Sequence, residues 1–304
     1  MSSVTQQQGA LEEKRKRVEA ILDGFGRVIV AFSGGVDSTL LAKLARDVLG
    51  KGNALAVTAD SPSLSREDLE EARRLATSLD LEHLIITTNE VENPLYQANT
   101  TARCYVCKQE LFEELEELAR ARQILVVLYG AIGDDQLSER PGQRAAAERG
   151  VRAPLQEAHL AKWEVRELAR TLGLPNWDRP QNACLSSRIP HGQDVTDEKL
   201  NQREATESFL RARGFRQVRV RHLGTHARIE VGSDEVTRFQ DPSLCDAVGQ
   251  RFETLGFETI GIDPAGYHPG GANNAINRAE IPLRKRIGAG RENPVFSSRQ
   301  GVTE

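Results

Sequence analysis

Hydrophobic and polar positions repeat along the first 130 residues in one order: a short apolar run, a turn of small polar residues, then apolar residues three and four apart. Residues 28–32 are five apolar residues in succession, the mark of a strand buried on both faces. Residues 39–49 then predict a helix, with Leu40, Leu41, Leu44 and Val48 on one face. Residues 53–59, 82–88 and 124–129 predict three further strands, and 66–79 and 108–122 two further helices. A charged amphipathic helix over 11–22 leads into the first strand. This alternation predicts an α/β fold with a parallel sheet covered on both faces, whose ligands sit at the carboxyl ends of the strands. The turns at 33–38, 60–61 and 130–135 all fall there.

From residue 175 the pattern changes. Residues 175–192, rich in Pro, Asn, Arg and Ser, read as a loop joining two parts. A long helix over 196–213, capped by Thr196, precedes strands at 217–222 and 227–231 that alternate Arg or Glu with aliphatic residues. A helix over 242–255 and a strand over 258–262 complete a smaller α+β unit. The expected division is 1–186, 187–270, and a tail over 271–304 whose Asn, Arg and Gly lack periodicity and read as disordered.

Composition narrows the classes. The 304 residues are 39% hydrophobic and 28% charged, with no apolar run of membrane-spanning length, so no membrane span is expected. The first residues carry no pattern of a secretory signal, and a cytoplasmic enzyme is the expectation. A net charge of −4 argues against a large nucleic-acid surface while leaving room for a local basic pocket. Four cysteines fit metal or redox chemistry better than a disulfide framework, with three of them placed in loops beside other motifs.

Three constellations carry candidate chemistry. In Ser33-Gly34-Gly35-Val36-Asp37-Ser38, the glycines let backbone N–H groups converge ahead of a helix N-terminus, which makes a phosphate cradle. Ser33 and Ser38 add hydroxyls, and Asp37 either holds Mg²⁺ or shapes the loop. The lysine-bearing Gly-x-x-x-x-Gly-Lys pattern is absent from this loop. Second, Cys104 and Cys107 form a Cys-x-x-Cys pair, and Cys184 in Ala183-Cys184-Leu-Ser-Ser-Arg188 is a third thiol. Three thiolates suit a [4Fe–4S] cluster with one open iron. A zinc site would need a fourth ligand, for which His159, His191 and His222 are candidates, and simple packing at a helix start is the alternative. Third, Arg219 and Arg221 leave the same face of a strand, with Arg228 and Glu230 on its partner. An anion bridging the guanidinium groups and a solvated strand face both fit that pattern. Arg188, close to Cys184, is placed to lower that thiol's pKa or to bind an anionic substrate.

The loop and the alternating elements resemble the ATP pyrophosphatase (PP-loop) group. The resemblance implies that residues 33–38 hold the pyrophosphate side of ATP, that the turn from Thr58 to Ser61 contacts adenine through its backbone, and that Gly130 forms a third wall. Asp134 and Asp135 would then coordinate Mg²⁺, with a helix-capping pair as the alternative. More specifically, Phe32-Ser-Gly-Gly-Val-Asp-Ser38, Arg103-Cys-Tyr-x-Cys-Lys108, Ala183-Cys-Leu-Ser-Ser-Arg-Ile-Pro190, Arg219-Val-Arg-His222 and Ala227-Arg-Ile-Glu-Val231 resemble the LarE family in its own order, over about residues 14–268. That resemblance implies an ATP-dependent sulfur transferase acting on pyridinium-3,5-biscarboxylic acid mononucleotide for the nickel-pincer cofactor of lactate racemase. Each carboxylate is adenylated and the adenylate then replaced by sulfur. It also implies ATP, Mg²⁺ and, in the three-cysteine form, a [4Fe–4S] cluster on Cys104, Cys107 and Cys184. Other members sacrifice the sulfur of the cysteine aligned with Cys184. Arg188, Arg219, Arg221 and Glu230 are the expected substrate contacts, and the family implies a homo-oligomer such as a hexamer, with the site near a subunit contact. Where the family has a Gly-x-Asn-x-Asp-Asp turn, this chain has Ile132 and Gly133 near the Asn position. The rival readings are tRNA thiolation, an amidotransferase synthetase, and a non-catalytic nucleotide sensor or iron–sulfur carrier.

Overall fold

The computed structural model describes residues 2–134, 141–180, 182–267 and 279–284. The chain divides into two compact units, Met1–Ala183 and Cys184–Glu304.

In the first unit, α1 (Ser2–Asp23) leads to β1 (Val28–Ala31), α2 (Val36–Leu49), β2 (Ala54–Asp60), α3 (Arg66–Ser78) and β3 (Glu82–Thr87). The short α4 (Pro94–Gln97), α5 (Arg103–Ala121), β4 (Val126–Tyr129), α6 (Pro141–Glu148), α7 (Pro154–Glu157) and α8 (Lys162–Thr171) follow. The four strands make the expected parallel sheet in the order β3-β2-β1-β4, with Val28 opposite both Ala54 and Val126. Period-two alternation in β1 splits its side chains between two cores. Val28 and Val30 pack with Leu22, Leu40, Leu44 and Leu168 on one face, while Ile29 joins Leu55, Val57, Phe112 and Leu115 on the other. Each such aliphatic side chain, fully buried, contributes about 1.5–3 kcal/mol. Both cores therefore clamp the central strand, whose carboxyl end carries the loop at 33–38.

Two differences from the expectations affect the chemistry. Helix α5 begins at Arg103, so Cys104 and Cys107 lie in its first turn and not in a loop. Arg103 fixes that start: it is buried, and its Nη1 donates to Asn99 Oδ1 at 2.5 Å. Helices α6 to α8 have no counterpart in the pattern read from the sequence, and α8 proves central to the loop.

The second unit contains α9 (Asp197–Arg211), β5 (Val218–Leu223), β6 (His226–Val231), α10 (Pro242–Thr254), β7 (Thr259–Ile262) and β8 (Ile281–Arg284). Its sheet runs β5-β6-β7-β8, with β6 and β7 parallel and the outer pairs antiparallel. Val220, Ile229, Phe239, Phe252 and Ile260 form its core. Ile281–Arg284 lies in the segment expected to be disordered, and it is an edge strand because it pairs with β7.

Candidate active site

At the end of β1 the backbone turns sharply. Gly34 has φ +69°, a conformation side chains disfavour, and a Cβ there would meet Ala72 Cα at 3.2 Å. Hydroxyls knit the loop closed: Ser33 Oγ and Ser38 Oγ are 3.1 Å apart, Ser33 N donates to Ser38 Oγ at 3.2 Å, and Ser38 Oγ donates to Gly35 O at 3.0 Å. Buried Asn176 braces it from outside, donating to Gly34 O and to Thr39 Oγ1, each at 3.0 Å. Gly130, just past β4, comes so close that a Cβ would stand 2.8 Å from Ser38 N. The loop residues and Gly130 are thus gathered at the carboxyl edge of the sheet.

Lys162 completes this assembly. Its Nζ donates to both carboxylate oxygens of Asp37 at 2.7 Å, and its backbone N donates to Asp134 Oδ2 at 2.7 Å. One residue at the start of α8 therefore ties together Asp37 and Asp134, two of the three acids expected to serve Mg²⁺. Asp135 lies outside the described residues. Thr58 and Ser61 stand at the end of β2, but their hydroxyls are engaged elsewhere. Thr58 Oγ1 donates to Phe32 O at 2.6 Å and faces His83 Nε2 at 2.8 Å, while Ser61 Oγ sits 3.0 Å from Ser63 Oγ. Ser63 in turn donates to buried Glu90 Oε1 at 2.6 Å.

Cys104 and Cys107, three positions apart near the positive end of α5, are not in a disulfide, and the first is exposed and the second half-buried. Tyr105 between them is held by Glu148, by Gln109, whose Nε2 donates to the phenol at 2.7 Å, and by Arg144 over its ring at 4.4 Å. Among the described residues no three His, Cys, Asp and Glu side chains gather as a metal site. The third thiol, Cys184, is exposed and belongs to the second unit.

In the second unit the arginines are buried, so the alternative of a solvated strand face is wrong. Arg219 and Arg221 are 7% and 5% exposed, and cross-strand register puts Glu230 opposite Arg219. Arg221 Nη2 pairs with Glu230 Oε2 at 2.7 Å, and Arg219 Nη1 donates to Val218 O at 2.7 Å. Arg188 is buried in this unit as well. It bonds Glu207 at 3.0 Å and 3.3 Å and donates to the carbonyl oxygen of Cys184, so it positions that residue's backbone.

Glu207 is the hub of this region. It is fully buried, accepts from Val220 N at 3.0 Å, and also pairs with Arg203 and Arg211. Burial pushes its pKa up, but Arg188, Arg203, Arg211 and Arg219 outweigh that and hold it at about 2. Burial beside Arg188 lowers Arg219 to about 10, and burial with Arg203 and Lys199 lowers His222 to about 4. Lys162, Asn176, Arg203 and Glu207 were all missed by motif reading. The last two did leave a signal: Leu200, Arg203, Glu207 and Leu210 follow helical spacing, which puts two charges on the core-facing stripe of α9.

Comparisons with known proteins place the chain among relatives. A family model described as NAD synthase matches residues 13–135, the stretch that holds the loop. An uncharacterised protein of Synechocystis is 47% identical over 81% of this chain and 92% of its own length. Pyridinium-3,5-bisthiocarboxylic acid mononucleotide synthase of Lactiplantibacillus plantarum is 36% identical over 89% of this chain and 98% of its own. A tRNA-specific 2-thiouridylase of Thermoanaerobacter pseudethanolicus is 24% identical over 67% of this chain and 65% of its own. No helix among the described residues is long and apolar enough to cross a membrane.

Proposed function

The chain belongs to the LarE family, and from that membership we propose that it is an ATP-dependent sulfurtransferase acting on pyridinium-3,5-biscarboxylic acid mononucleotide. Its product is the bis-thiocarboxylate used to build the nickel-pincer nucleotide. The observation that carries the reading is the tight loop after β1, turned at Gly34, closed by the Ser33–Ser38 contact and walled by Gly130.

In this reading a substrate carboxylate oxygen attacks the α-phosphorus of ATP, the bond to the β-phosphate oxygen breaks, and pyrophosphate leaves. The N–H groups and hydroxyls of Ser33, Gly34, Gly35 and Ser38 bear the pyrophosphate charge. The turn from Thr58 to Ser61 faces the base through its backbone. Asp37 and Asp134 would hold Mg²⁺ together with phosphate oxygens, an exchange that frees Lys162 Nζ for the phosphates. A sulfur nucleophile then attacks the acyl carbon and AMP leaves.

For the sulfur, Cys104, Cys107 and Cys184 would hold a [4Fe–4S] cluster, which when bound supplies an inorganic sulfide. Sacrifice of the Cys184 sulfur is the second reading, favoured by the exposure of that thiol. Arg219 and Arg221 bind the mononucleotide's anionic end, Glu230 holds Arg221 for that contact, and Arg188 holds the Cys184 backbone in place. Assembly as a homo-oligomer belongs to the same proposal. A tRNA substrate fits less well with a chain of net charge −4.

The test is release of pyrophosphate from ATP, expected only when the biscarboxylate mononucleotide is added. Cys184→Ala should keep that release and form no thiocarboxylate. Release without the substrate, or thiocarboxylate formation by the variant, contradicts the scheme. Anaerobic reconstitution with iron and sulfide, followed by iron counting in wild type and Cys104→Ser, separates the two sulfur sources.

A further inference from the structure

Among the described residues, the buried charges gathered around Glu207 do not cancel. Arg188, Arg203, Arg219 and Arg221 are each 7% exposed or less, and the buried acids they share are Glu207 and Glu230, two carboxylates against four guanidinium groups. Arg211, partly exposed on Glu207, adds to the excess. Arg228, the other fully buried arginine, has acids of its own in Asp263 and Glu280. Taking uncompensated cations out of water is costly unless an anion accompanies them.

Arg203 is the extreme case. It is 0% exposed, its Nη2 reaches Glu207 Oε1 at 3.4 Å, and its Nε and Nη1 have no partner among the described residues. Burial, with Arg188, Arg221 and Arg219 nearby, pulls its pKa well down even though Glu207 opposes this. Its place on α9, between Leu200 and Leu210, is one that an aliphatic side chain would fill at lower cost.

We infer that Arg203 makes this arginine cluster selective for a doubly charged anion, the phosphate monoester of a nucleotide, over a singly charged carboxylate. The inference rests on the reading that Arg219 and Arg221 bind the substrate's anionic end. Fully buried, Arg203 acts through its field and through Glu207, and is a positioning residue. The field of a fixed cation stabilises a ligand in proportion to the ligand's charge, so its gain on a dianion is twice that on a monoanion. A phosphate monoester carries close to two charges at neutral pH.

Sulfate and methanesulfonate are tetrahedral anions that differ in charge at any working pH, and inorganic phosphate serves as a second dianion. Calorimetric titration of the full chain at constant ionic strength should show wild type binding both dianions at least about tenfold tighter than methanesulfonate. In Arg203→Met that preference should fall to about threefold or less, with methanesulfonate weakened by about the same factor, roughly threefold, and each dianion by about its square, roughly tenfold. Arg203→Lys should restore the preference. The ligand-free Arg203→Met protein should melt at or above wild type, since the change removes an uncompensated buried cation. Equal weakening toward all three anions, or a lower melting temperature with the preference intact, overturns the inference by making Arg203 merely structural. An Arg219→Ala/Arg221→Ala double variant separates the two ideas. If it binds dianions like wild type, the reading of the site fails and the inference with it. If it loses them while Arg203→Met behaves as wild type, the site reading stands and the inference alone falls.

Discussion

The two units would meet negative ligands in opposite ways under the proposed function. In the first, the proposed nucleotide site is a loop of neutral backbone amides and hydroxyls, and its charged groups, Asp37 and Lys162, sit at a rim where their side chains are 27% and 31% exposed. In the second, Arg188, Arg203, Arg219 and Arg221 lie inside the fold around Glu207 and Glu230. A ring of amides can stand empty at little cost, because water solvates it and it has no net charge to repel. Clustered guanidinium groups repel one another whenever they lack an anion. The first arrangement suits a ligand that arrives and leaves in pieces, the second one that must be held firmly.

Three perturbations sharpen that contrast, beginning with the most damaging. Glu207→Gln leaves Arg188 and Arg203 without their carboxylate, and loss of one partner from a buried ion pair costs about 3–5 kcal/mol. The expected result is a large fall in the unfolding midpoint in urea. A loss below about 1 kcal/mol would mean that the network is solvated in solution.

Lys162→Ala should lower substrate-dependent pyrophosphate release by about a hundredfold, the scale for losing one preorganised electrostatic contact, while the unfolding midpoint stays near wild type. Unchanged turnover would confine Lys162 to steadying Asp37 in the resting enzyme.

The mildest perturbation concerns His222. Burial, then Arg203 and Lys199, depress its pKa from 6.5 to about 4, so the folded state favours the neutral ring. The stability this supplies is complete above 6.5, the unfolded value, and is lost as pH falls through about 4. Glu207 extends the decline further, because its folded value of about 2 lies below the unfolded 4.5. Melting temperature should therefore be flat above pH 6.5 and fall below it. His222→Gln should flatten the upper part of that fall, and an unchanged profile would assign it to other groups.

The first unit was legible because its signals are local. An apolar run as short as 28–32, β-branched and closed by Gly34-Gly35, reads as a buried strand, and that turn announces its own geometry. What escaped notice there was Lys162, which meets Asp37 across 125 positions of chain and belongs to no motif near the loop. In the second unit the reading found Arg219, Arg221 and Glu230 but allowed that they might be solvated, since alternating charges on a strand look the same in water or in a core. Their burial depends on α9, whose inward stripe mixes Arg203 and Glu207 with Leu200 and Leu210. Charges on an apolar face are easily mistaken for the outer surface of a helix. Residues 281–284 escaped for another reason: four residues beside an Asn- and Gly-rich stretch gain order only from the β7 edge they join.

That edge strand has a consequence for how the polypeptide matures on the ribosome. Everything the first sheet needs has been made once residue 183 is out, so it can close while the rest is still being translated. The second sheet must wait for Ile281–Arg284, and until then the open side of β7 is a template for any passing strand. A chain stopped short of Glu280 would also lose the carboxylate that reaches Arg228 and His226. Premature termination there should yield aggregates assembled through the second unit, around a first unit that still folds.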